Sequence, residues 1–335
     1  MEFTGIDLKK ENMVVKRLFI ALLLIWAVVT FTFILIHVVP GSPVDYLTDS
    51  RLSPRVVSQV KATLGLNKPL YTQYLLWLKN MATGNFGYSF SQHRSVASIL
   101  KTAIPTTLLL TTFAFLLELI LGILLGVLSA VYSTKKLGHL INLTALFIFA
   151  TPEFWLGLMA IFIFSIKLGW FPAGQKITPG FEYAGTLAYL TDLIHHLVLP
   201  VLVLALSSAA YTTRFVRGNM LSVLQKDFIL QAKILGISSR RISYKLALKN
   251  ALLPVITLIG LGFPFLLGGS VVVEYLFSWP GMGWLTFHAV LLRDYPIILA
   301  TTTITAGMVI LGNFLSDLLY PLVDPRIRRR SGGEP

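Results

Sequence analysis

Long apolar stretches separated by polar segments form the main pattern along this chain of 335 residues. Several apolar runs reach the roughly 20 residues that a helix needs to cross a bilayer, whereas the buried strands of soluble α/β proteins run to about 4 to 8 residues. The pattern therefore predicts an all-α membrane protein, and it argues against a soluble globular fold.

Six stretches are long and apolar enough to be membrane-spanning helices. The first, 18–39, follows four basic residues and lacks a small-residue cleavage site. It also exceeds the apolar core of a secretory signal peptide, which is about 7 to 15 residues long, so we expect a helix that is not cleaved. The other spans are predicted at 108–131, 140–166, 197–212, 251–273 and 297–319. An even number of spans places both ends of the chain on one side of the membrane.

These helices divide the chain into regions with different environments. They are a cytoplasmic N-terminal tail (1–17), a first spanning helix (18–39), an extracytoplasmic loop subdomain (40–106), a transmembrane core (107–320) that contains a cytoplasmic loop (214–254), and a cytoplasmic C-terminal tail (321–335). The loop subdomain is polar and punctuated by Pro and Gly. We see no internal repeat and no low-complexity tract in the sequence.

The basic residues support this orientation. Of the 28 Lys and Arg residues, most fall in the tails and connections that the six-helix topology places inside. The two short outer connections hold only Lys167, Lys176 and Arg293. Cytoplasmic loops carry an excess of Lys and Arg, so both termini are expected to be cytoplasmic. The formal net charge of +13 then reflects orientation and anionic lipid, and no nucleic-acid partner is expected.

Composition narrows the classes of function. The chain is 55% hydrophobic and 13% charged, which leaves too little polar surface for a soluble globule of this length. It has no Cys, which excludes disulfides, thiolate nucleophiles and thiolate metal sites. It also has no G-x-x-x-x-G-K-[ST] sequence, so it does not cradle nucleotide phosphates by the P-loop route. Any ATP-driven work must therefore be done by another chain.

The most informative segment is the connection at 214–254, which holds eight basic residues and one acid, Asp227. Helix connections commonly need about 2 to 8 residues, so a loop of this length favours a docking role. A loop that lies on anionic lipid headgroups is the alternative that composition leaves open.

Helical spacing predicts the local structure of this loop. Its first half has apolar residues that recur at helical spacing: Phe228, Ile229, Ala232 and Leu235. Gly236 is placed to end this helix, and Ser238 and Ser239 are placed to cap a second short helix from Arg240 onward.

A specific sequence pattern runs through the same segment. The chain has Tyr211, Arg214, Arg217, Met220, Leu221, Val223, Leu224, Asp227, Ala232, Gly236 and Ser238 in order, then A-L-K-N-A-L-L-P-V-I-T at 247–257. This resembles the cytoplasmic EAA loop of binding-protein-dependent ABC permeases, in the form used by the dipeptide, oligopeptide and nickel permease family. The chain departs from the family at Leu246, where a His is usual, and at Leu235, where a Lys usually precedes the Gly.

Shorter stretches follow the same family along most of the chain. They include VVPGSPVDYL (38–47), GNFGYS (84–89), TPEFWLG (151–157), FSWPGMG (277–283) and RDYP (293–296). The resemblance implies the type I ABC importer permease fold, in the permease type that has a long first extracytoplasmic loop.

The resemblance also implies a role for the cytoplasmic loop, which in the family forms a coupling helix that seats on an ATPase subunit. The residues that it assigns to coupling are Asp227, Ala232, Gly236, Ile237, Ser238, Arg240, Arg241, Leu246, Asn250 and Pro254. A Leu at 246 implies a contact with a particular ATPase partner that excludes more water.

Ionisable residues within the spans are candidates for the translocation path, because such groups are costly in lipid and usually face protein or water. Glu118 and Glu153 are the two we weigh for this role, against helix packing as the alternative. Glu274 lies at the end of the fifth span. Asp317 lies near the cytoplasmic headgroups, which favours a packing or interfacial role.

Other residues in the spans have structural explanations. Pro152, Pro200, Pro254 and Pro264 are positions where spans can bend. Gly122 and Gly126 have the spacing that lets two helices approach closely. His195 and His196 are adjacent and so face different directions on a helix, and no third ligand is evident, which argues against a metal site.

The resemblance implies an importer with several partners: a second related permease subunit that forms a heterodimer, two cytoplasmic P-loop ATPases that hold ATP and Mg, and an extracytoplasmic solute-binding protein. Peptides are the expected substrate, with nickel complexes and oligosaccharides as alternatives.

An ion-coupled secondary transporter is a rival interpretation, but such a protein often shows inverted repeats and would leave the basic loop unexplained. An intramembrane enzyme is another, but the chain has no GxSxG or HExxH motif.

Overall fold

The structure is a computed structural model that describes residues 4–38, 67–181, 185–255, 262 and 269–323, with the backbone alone for 4–18 and 315–323. Within these residues the chain is mostly helical, and its only β feature is an isolated bridge between Tyr88 and Ser95. The α-helices are α1 (Thr4–Val38), α2 (Leu70–Ala82), α3 (Val96–Val131), α4 (Lys136–Ala150), α5 (Glu153–Ala160), α6 (Thr186–Leu224), α7 (Asp227–Ile234), α8 (Ser239–Arg241), α9 (Leu248–Ala251), α10 (Val271–Leu276), α11 (Met282–Leu291) and α12 (Tyr295–Val323). Two π-helical segments, Ile161–Lys167 and Ile242–Ala247, follow α5 and α8.

Four stretches of the described helices are long and apolar enough to cross a membrane. They are Phe19–Val38, Val96–Val131, Thr186–Leu224 and Tyr295–Phe314, and they correspond to the first, second, fourth and sixth predicted spans. The all-α membrane character predicted from the sequence is therefore confirmed. The fifth predicted span, 251–273, falls mostly outside the described residues, as do most of the loop 40–106 before α2 and most of the tail 321–335.

The third predicted span is broken rather than continuous. Its two halves, Lys136–Ala150 and Glu153–Lys167, are bent by 104° at the short break between them. Thr151 is extended, with φ −88° and ψ 129°, and Pro152 follows it. A proline disfavours helical conformation in the preceding residue and lacks the N–H that would continue the helix. The bend at Pro152 that the sequence predicted is thus present, and it is sharp.

Most of the described spanning helices extend beyond their predicted spans, α3 and α6 among them. α6 has 39 residues and contains Pro200, and α3 begins 12 residues before the predicted start at Leu108 with Pro105 inside it. At a rise of about 1.5 Å per residue α6 is roughly 58 Å long, which exceeds the hydrocarbon thickness of about 30 Å. Hydropathy marks where a helix is apolar, whereas the backbone hydrogen bonds continue into its polar ends.

The chain forms two compact units, of which the first comprises 1–107 and 280–311. Its core lies between the start of α3, α11 and the start of α12, and includes Val96, Leu100, Met282, Leu285 and Ile297. Asp294, which is fully buried at the start of α12, accepts hydrogen bonds from Ser89 Oγ at 2.6 Å, Ser91 Oγ at 2.7 Å and Ser91 N at 2.9 Å. This carboxylate fastens the GNFGYS turn to α12.

The second unit comprises 108–279 and 312–335, and within it α3 packs closely on α6. A Cβ added at Gly122 would lie 2.5 Å from Cγ2 of Thr212, and one added at Gly126 would lie 2.6 Å from Cβ of Val216. Real Cβ atoms do not come this close, so both glycines are required for the contact. The sequence-based prediction that these glycines permit close helix approach is confirmed.

Replacing Gly126 with Ala should lower the thermal stability of the protein in detergent. The added methyl would meet Val216 and the Thr213 carbonyl oxygen, at 2.8 Å, and overpacking of this kind costs about 1 to 3 kcal/mol. The measurement is the fraction of monodisperse protein that survives heating. Gly307→Ala is the matched control, because its Cβ would meet nothing within 4 Å. Equal melting curves for the two variants would contradict the close contact.

Candidate functional site

The cytoplasmic loop predicted for coupling forms α7 and a Gly-terminated turn. Asp227 lies in the first turn of α7, where a carboxylate complements the helix dipole. At the other end Ile237 N donates to the Ala232 carbonyl at 3.0 Å, and Gly236 N donates to the Lys233 carbonyl at 3.0 Å. These two bonds form a Schellman motif, which requires the left-handed φ of +72° at Gly236. The predicted helix break at Gly236 is therefore confirmed.

The second helix of the loop begins near the predicted position, but it is not capped by a serine side chain. α8 starts at Ser239, and Ser238 occupies the N-cap position with φ −58° and ψ 140°. The Ser238 side chain makes no capping hydrogen bond, and the Ser238 carbonyl oxygen instead accepts from Ile242 N at 3.0 Å. The expectation of side-chain capping was wrong, because backbone hydrogen bonds alone form this turn.

The apolar residues of α7 divide into two faces. Ile229 and Ala232 are buried, at 0% and 5% exposure. They belong to an apolar cluster at the ends of α3 and α6, together with Val127, Ala130, Val216, Met220, Ile242, Ala247 and Ala251. The other face carries Leu230, Ile234 and Leu235, at 58%, 77% and 78% exposure. We call these three residues the coupling tip.

This division changes the roles within the predicted coupling set. Ala232 is packed against the protein, so it positions the segment rather than presenting a contact surface. Leu235, predicted to share one apolar stripe with Ala232, points away from the cluster. Helical spacing alone did not separate the two, because it did not show that α7 ends at Ile234 and leaves Leu235 at the C-cap position.

The remaining predicted coupling residues follow the same pattern. Ile237 and Leu246 are half-buried and pack against the cluster, and Asn250 Nδ2 donates to the Leu246 carbonyl at 2.9 Å. The others are exposed: Ser238, Arg240, Arg241 and Pro254. The segment therefore presents basic and apolar side chains on one side and is fixed to the helix bundle on the other.

The two carboxylates weighed for a translocation path lie in different surroundings. Glu118 is 8% exposed, and its Oε1 accepts a hydrogen bond from Thr212 Oγ1 at 2.9 Å. Glu153 is half-buried in the first turn of α5, and its Oε2 accepts from Ser270 Oγ at 3.3 Å. Glu274 is fully buried in α10, and the side chain of Asp317 lies outside the described residues. The Glu118 carboxylate thus joins α3 to α6.

The two adjacent histidines bind different backbone carbonyls. His195 Nε2 donates to the Trp170 carbonyl at 2.7 Å, and His196 Nδ1 donates to the Gly174 carbonyl at 2.8 Å. This agrees with the prediction that they face different directions.

A hydrogen-bond network beside His196 was missed by the sequence reasoning. Asp192 accepts from Thr178 N at 2.6 Å and from Thr178 Oγ1 at 2.9 Å, and that hydroxyl also lies 3.1 Å from His196 Nε2. The three residues fasten the loop before α6 to the first part of that helix. Thr178 is separated from Asp192 by 14 residues of sequence. The only sequence signal was an acid and a histidine at i, i+4 on one helix face.

A cavity of about 470 Å³ lies between α4 and α6 and was also not predicted. Its lining includes Asn142, Phe149, Tyr211, Arg214, Arg217 and Gly218. The Arg214 guanidinium lies over the Phe149 ring, 5.1 Å from its centroid. The sequence identified the two arginines only as part of a family pattern, because nothing in the order of residues placed them opposite α4.

Two family models match most of this chain. Residues 122–329 match the family described as binding-protein-dependent transport system inner membrane component, and residues 11–111 match the N-terminal family of the same membrane components. The two matches together cover residues 11–329 except for 112–121, and they include the predicted coupling loop 214–254, which we call the coupling segment.

Curated relatives match over nearly their whole length. The oligopeptide transport system permease protein AppB of Bacillus subtilis (strain 168) is 41% identical over 94% of this chain and 98% of its own. The di/tripeptide transport system permease protein DppB of Pseudomonas aeruginosa is 36% identical, over 95% and 99%. The glutathione transport system permease protein GsiC of Escherichia coli (strain K12) is 35% identical, over 95% and 99%.

A solved structure shares the fold. A chain from the inward-facing MetNI methionine ABC transporter aligns with a TM-score of 0.51 and 16% identity, covering 68% of this chain and 96% of that one. With the apolar helices, the family matches and the full-length relatives taken together, the chain belongs to the binding-protein-dependent transport system inner membrane component family and is a multi-pass protein of the inner membrane.

Proposed function

We propose that this chain is the permease subunit of an ATP-driven importer that takes peptides from an extracytoplasmic solute-binding protein. The relatives described above are named as oligopeptide, di/tripeptide and glutathione permeases, which supports a peptide substrate. The observation that carries the proposal is the coupling tip, an exposed apolar surface on a segment that is itself firmly packed. Three large apolar side chains exposed together mark an interaction site.

The proposed motor is a pair of cytoplasmic P-loop ATPases, which hold ATP and Mg on their own chains. This chain needs no cofactor in the proposal. The coupling tip seats on the ATPase, and the buried face of α7 passes any movement to the ends of α3 and α6. ATP must bind the closed motor more tightly than the open one, and this difference in affinity shifts the permease between two states.

The proposed topology has six spans with both termini in the cytoplasm and the type I ABC importer permease fold. The described residues contain four candidate spans, or five if the bent pair is one span, and the sixth is the predicted span at 251–273. The ends of α3 and α6 meet in one apolar cluster, which supports placing the connection at 132–135 and the coupling segment on the same side.

The remaining proposed partners are a second, related permease subunit that completes the translocation path and a solute-binding protein on the outer face. Nickel complexes and oligosaccharides remain alternative substrates of the same importer class. An ion-coupled secondary transporter would work without partners and would leave the exposed coupling tip without a function.

Within this proposal the two path candidates have separate roles. Glu118 is buried between α3 and α6 and hydrogen-bonded to Thr212, so it supports helix packing. Glu153 is half-exposed at the break in the third span, where a polar group is accessible to a path, and it remains the candidate for the translocation path.

Replacing Leu235 with Glu should uncouple uptake from ATP hydrolysis while the protein still inserts and folds. A charge at this exposed position removes an apolar contact with the ATPase and leaves a desolvated carboxylate at the interface. We therefore expect peptide uptake to fall at least tenfold, which corresponds to about 1.4 kcal/mol. The measurement is uptake of a labelled peptide by cells, with membrane insertion followed in parallel. Thr134→Glu is the control, because it adds the same charge at an exposed residue of the other connection. Unchanged uptake in the Leu235 variant would contradict the assignment of this surface to ATPase docking.

Replacing Glu118 with Gln should leave uptake within about threefold of the wild type, since the amide oxygen still accepts from Thr212 and a neutral hydrogen bond is worth about 1 kcal/mol. Glu118→Ala removes that acceptor and should lower thermal stability in detergent. Both variants are compared by peptide uptake and by heating of the purified protein. Loss of uptake by Glu118→Gln in an intact complex would show instead that the charge itself is needed in the path.

The proposal as a whole is tested by purifying the tagged chain in mild detergent from its native host and identifying the co-purifying proteins by mass spectrometry. We expect a second multi-span permease and one or two P-loop ATPases. Purification of the chain alone or only with itself would contradict the importer assignment and favour the secondary transporter.

A further inference from the structure

The cavity between α4 and α6 is formed by two helix faces. α4 contributes Asn142, Leu146 and Phe149, which are spaced i, i+4, i+7, and α6 contributes Tyr211, Arg214 and Gly218, which are spaced i, i+3, i+7. Residues at these spacings lie on one side of a helix. The coupling role proposed above uses none of these residues, so the cavity needs a separate explanation.

The charges in this cavity are not neutralised by the described residues. Neither Arg214 nor Arg217 forms an ion pair with a described side chain. Arg217 Nε is buried and has no hydrogen-bond partner among the residues that the structure describes. A buried donor on a charged group that lacks a partner is costly, and guanidinium groups pair preferentially with carboxylate or phosphate oxygens. The cavity therefore has the chemistry to hold an oxyanion.

The rest of the lining can hold an apolar group and an amide. The Phe149 and Tyr211 rings are stacked with centroids 6.4 Å apart, and Phe149 also lies under the Arg214 guanidinium. Asn142 supplies an amide that can both donate and accept. Gly218 leaves the wall open, because a Cβ there would meet nothing within 4 Å. The feature is an open groove of about 470 Å³, because Leu146, Phe149 and Tyr211 are each 44 to 50% exposed.

The site lies close to the coupling segment. Arg217 is seven residues before the end of α6 at Leu224, a distance of roughly 10 Å along the helix, and α7 follows directly. A ligand bound here would therefore contact the same helix whose end packs against Ile229 and Ala232.

We infer that this cavity binds a peptide in transit, with its carboxylate on Arg214 and Arg217, its amide groups on Asn142 and an apolar side chain against Phe149 and Tyr211. The inference rests on the proposed function and adds the substrate contact to it. A phospholipid also carries an oxyanion, and its ester carbonyls could accept from Asn142, so the peptide is preferred because the relatives are named as peptide permeases, and the test below separates the two occupants. The peptide matches both the charge and the polar lining.

The test places a photo-crosslinking residue in the cavity, as Leu146→p-benzoylphenylalanine, in the assembled permease and ATPase complex in lipid nanodiscs. The probes are isotope-labelled trialanine and its C-terminal amide, added without a binding protein, and adducts are identified by mass spectrometry. We expect a trialanine adduct that excess unlabelled trialanine suppresses, and at least about tenfold less adduct with the amide, because an uncharged C-terminus loses its charge-assisted hydrogen bonds to Arg214 and Arg217. An adduct of phospholipid alone, or no adduct, overturns the inference.

Substitutions in the same crosslinking chain separate the site from general effects on folding. Arg217→Gln removes the charge, and Gly218→Leu adds an apolar side chain to the lining at a position where a Cβ meets nothing within 4 Å. Each should raise the trialanine concentration for half-maximal crosslinking at least about tenfold, by loss of a charge-assisted pair or of volume. Lys135→Gln is the matched control, because Lys135 also lies over a ring, 5.4 Å from the Tyr132 centroid, and is not part of the cavity. Equal concentrations in all three variants would overturn the inference.

Failure here is distinguishable from failure of the proposed function. The same preparations are assayed for co-purifying ATPase subunits and for ATP hydrolysis. A complex that contains and uses its ATPases, but gives no peptide adduct at position 146, refutes the peptide site and leaves the importer assignment intact.

Discussion

The close packing of α3 on α6 is the contact on which the rest of the second unit depends. Gly122 and Gly126 let the backbones approach, and the buried Glu118 carboxylate accepts a hydrogen bond from Thr212 at the same contact. In a bilayer the hydrophobic effect does little to hold helices together, because lipid tails are as apolar as leucine. Close van der Waals packing and interhelical hydrogen bonds must hold them instead. This contact brings the ends of both helices together.

Those ends form the surface on which the coupling segment is built. Ile229 and Ala232 of α7 pack into the apolar cluster there, whereas Leu235, just before the turn at Gly236, is exposed. A segment that is buried on one face and exposed on the other can transmit movement, since its packed face is not free to slide independently of α3 and α6. Packed cores shift between discrete arrangements rather than deform smoothly, which suits a two-state transporter.

α6 connects three features along its length. Near its start Asp192 and His196 hold the loop that precedes it, near its end Arg214 and Arg217 line the cavity, and its last turns contact α7. A rotation or tilt of this one helix would therefore alter all three together. Its 39 residues exceed the length needed to cross the apolar core of a bilayer, so at least one of its ends projects past that core.

The sequence by itself determined the class of fold, the positions of four apolar helices, the break at Pro152 and the Gly-terminated turn at Gly236. These follow from local rules: apolar runs of sufficient length, and residues that either cannot continue a helix or uniquely permit a left-handed turn. The family pattern also marked the coupling loop and its likeness to known permeases.

Only the tertiary structure decided which side chains of the coupling loop are buried and which are exposed. It also decided that Glu118 pairs with Thr212, that Thr178 bonds to Asp192, and that Arg214 of α6 lies over the aromatic ring of Phe149. The physical reason is that helical periodicity fixes which residues share a face but not what that face meets. That depends on contacts between residues distant in the chain, such as Glu118 and Thr212, which are separated by 94 positions.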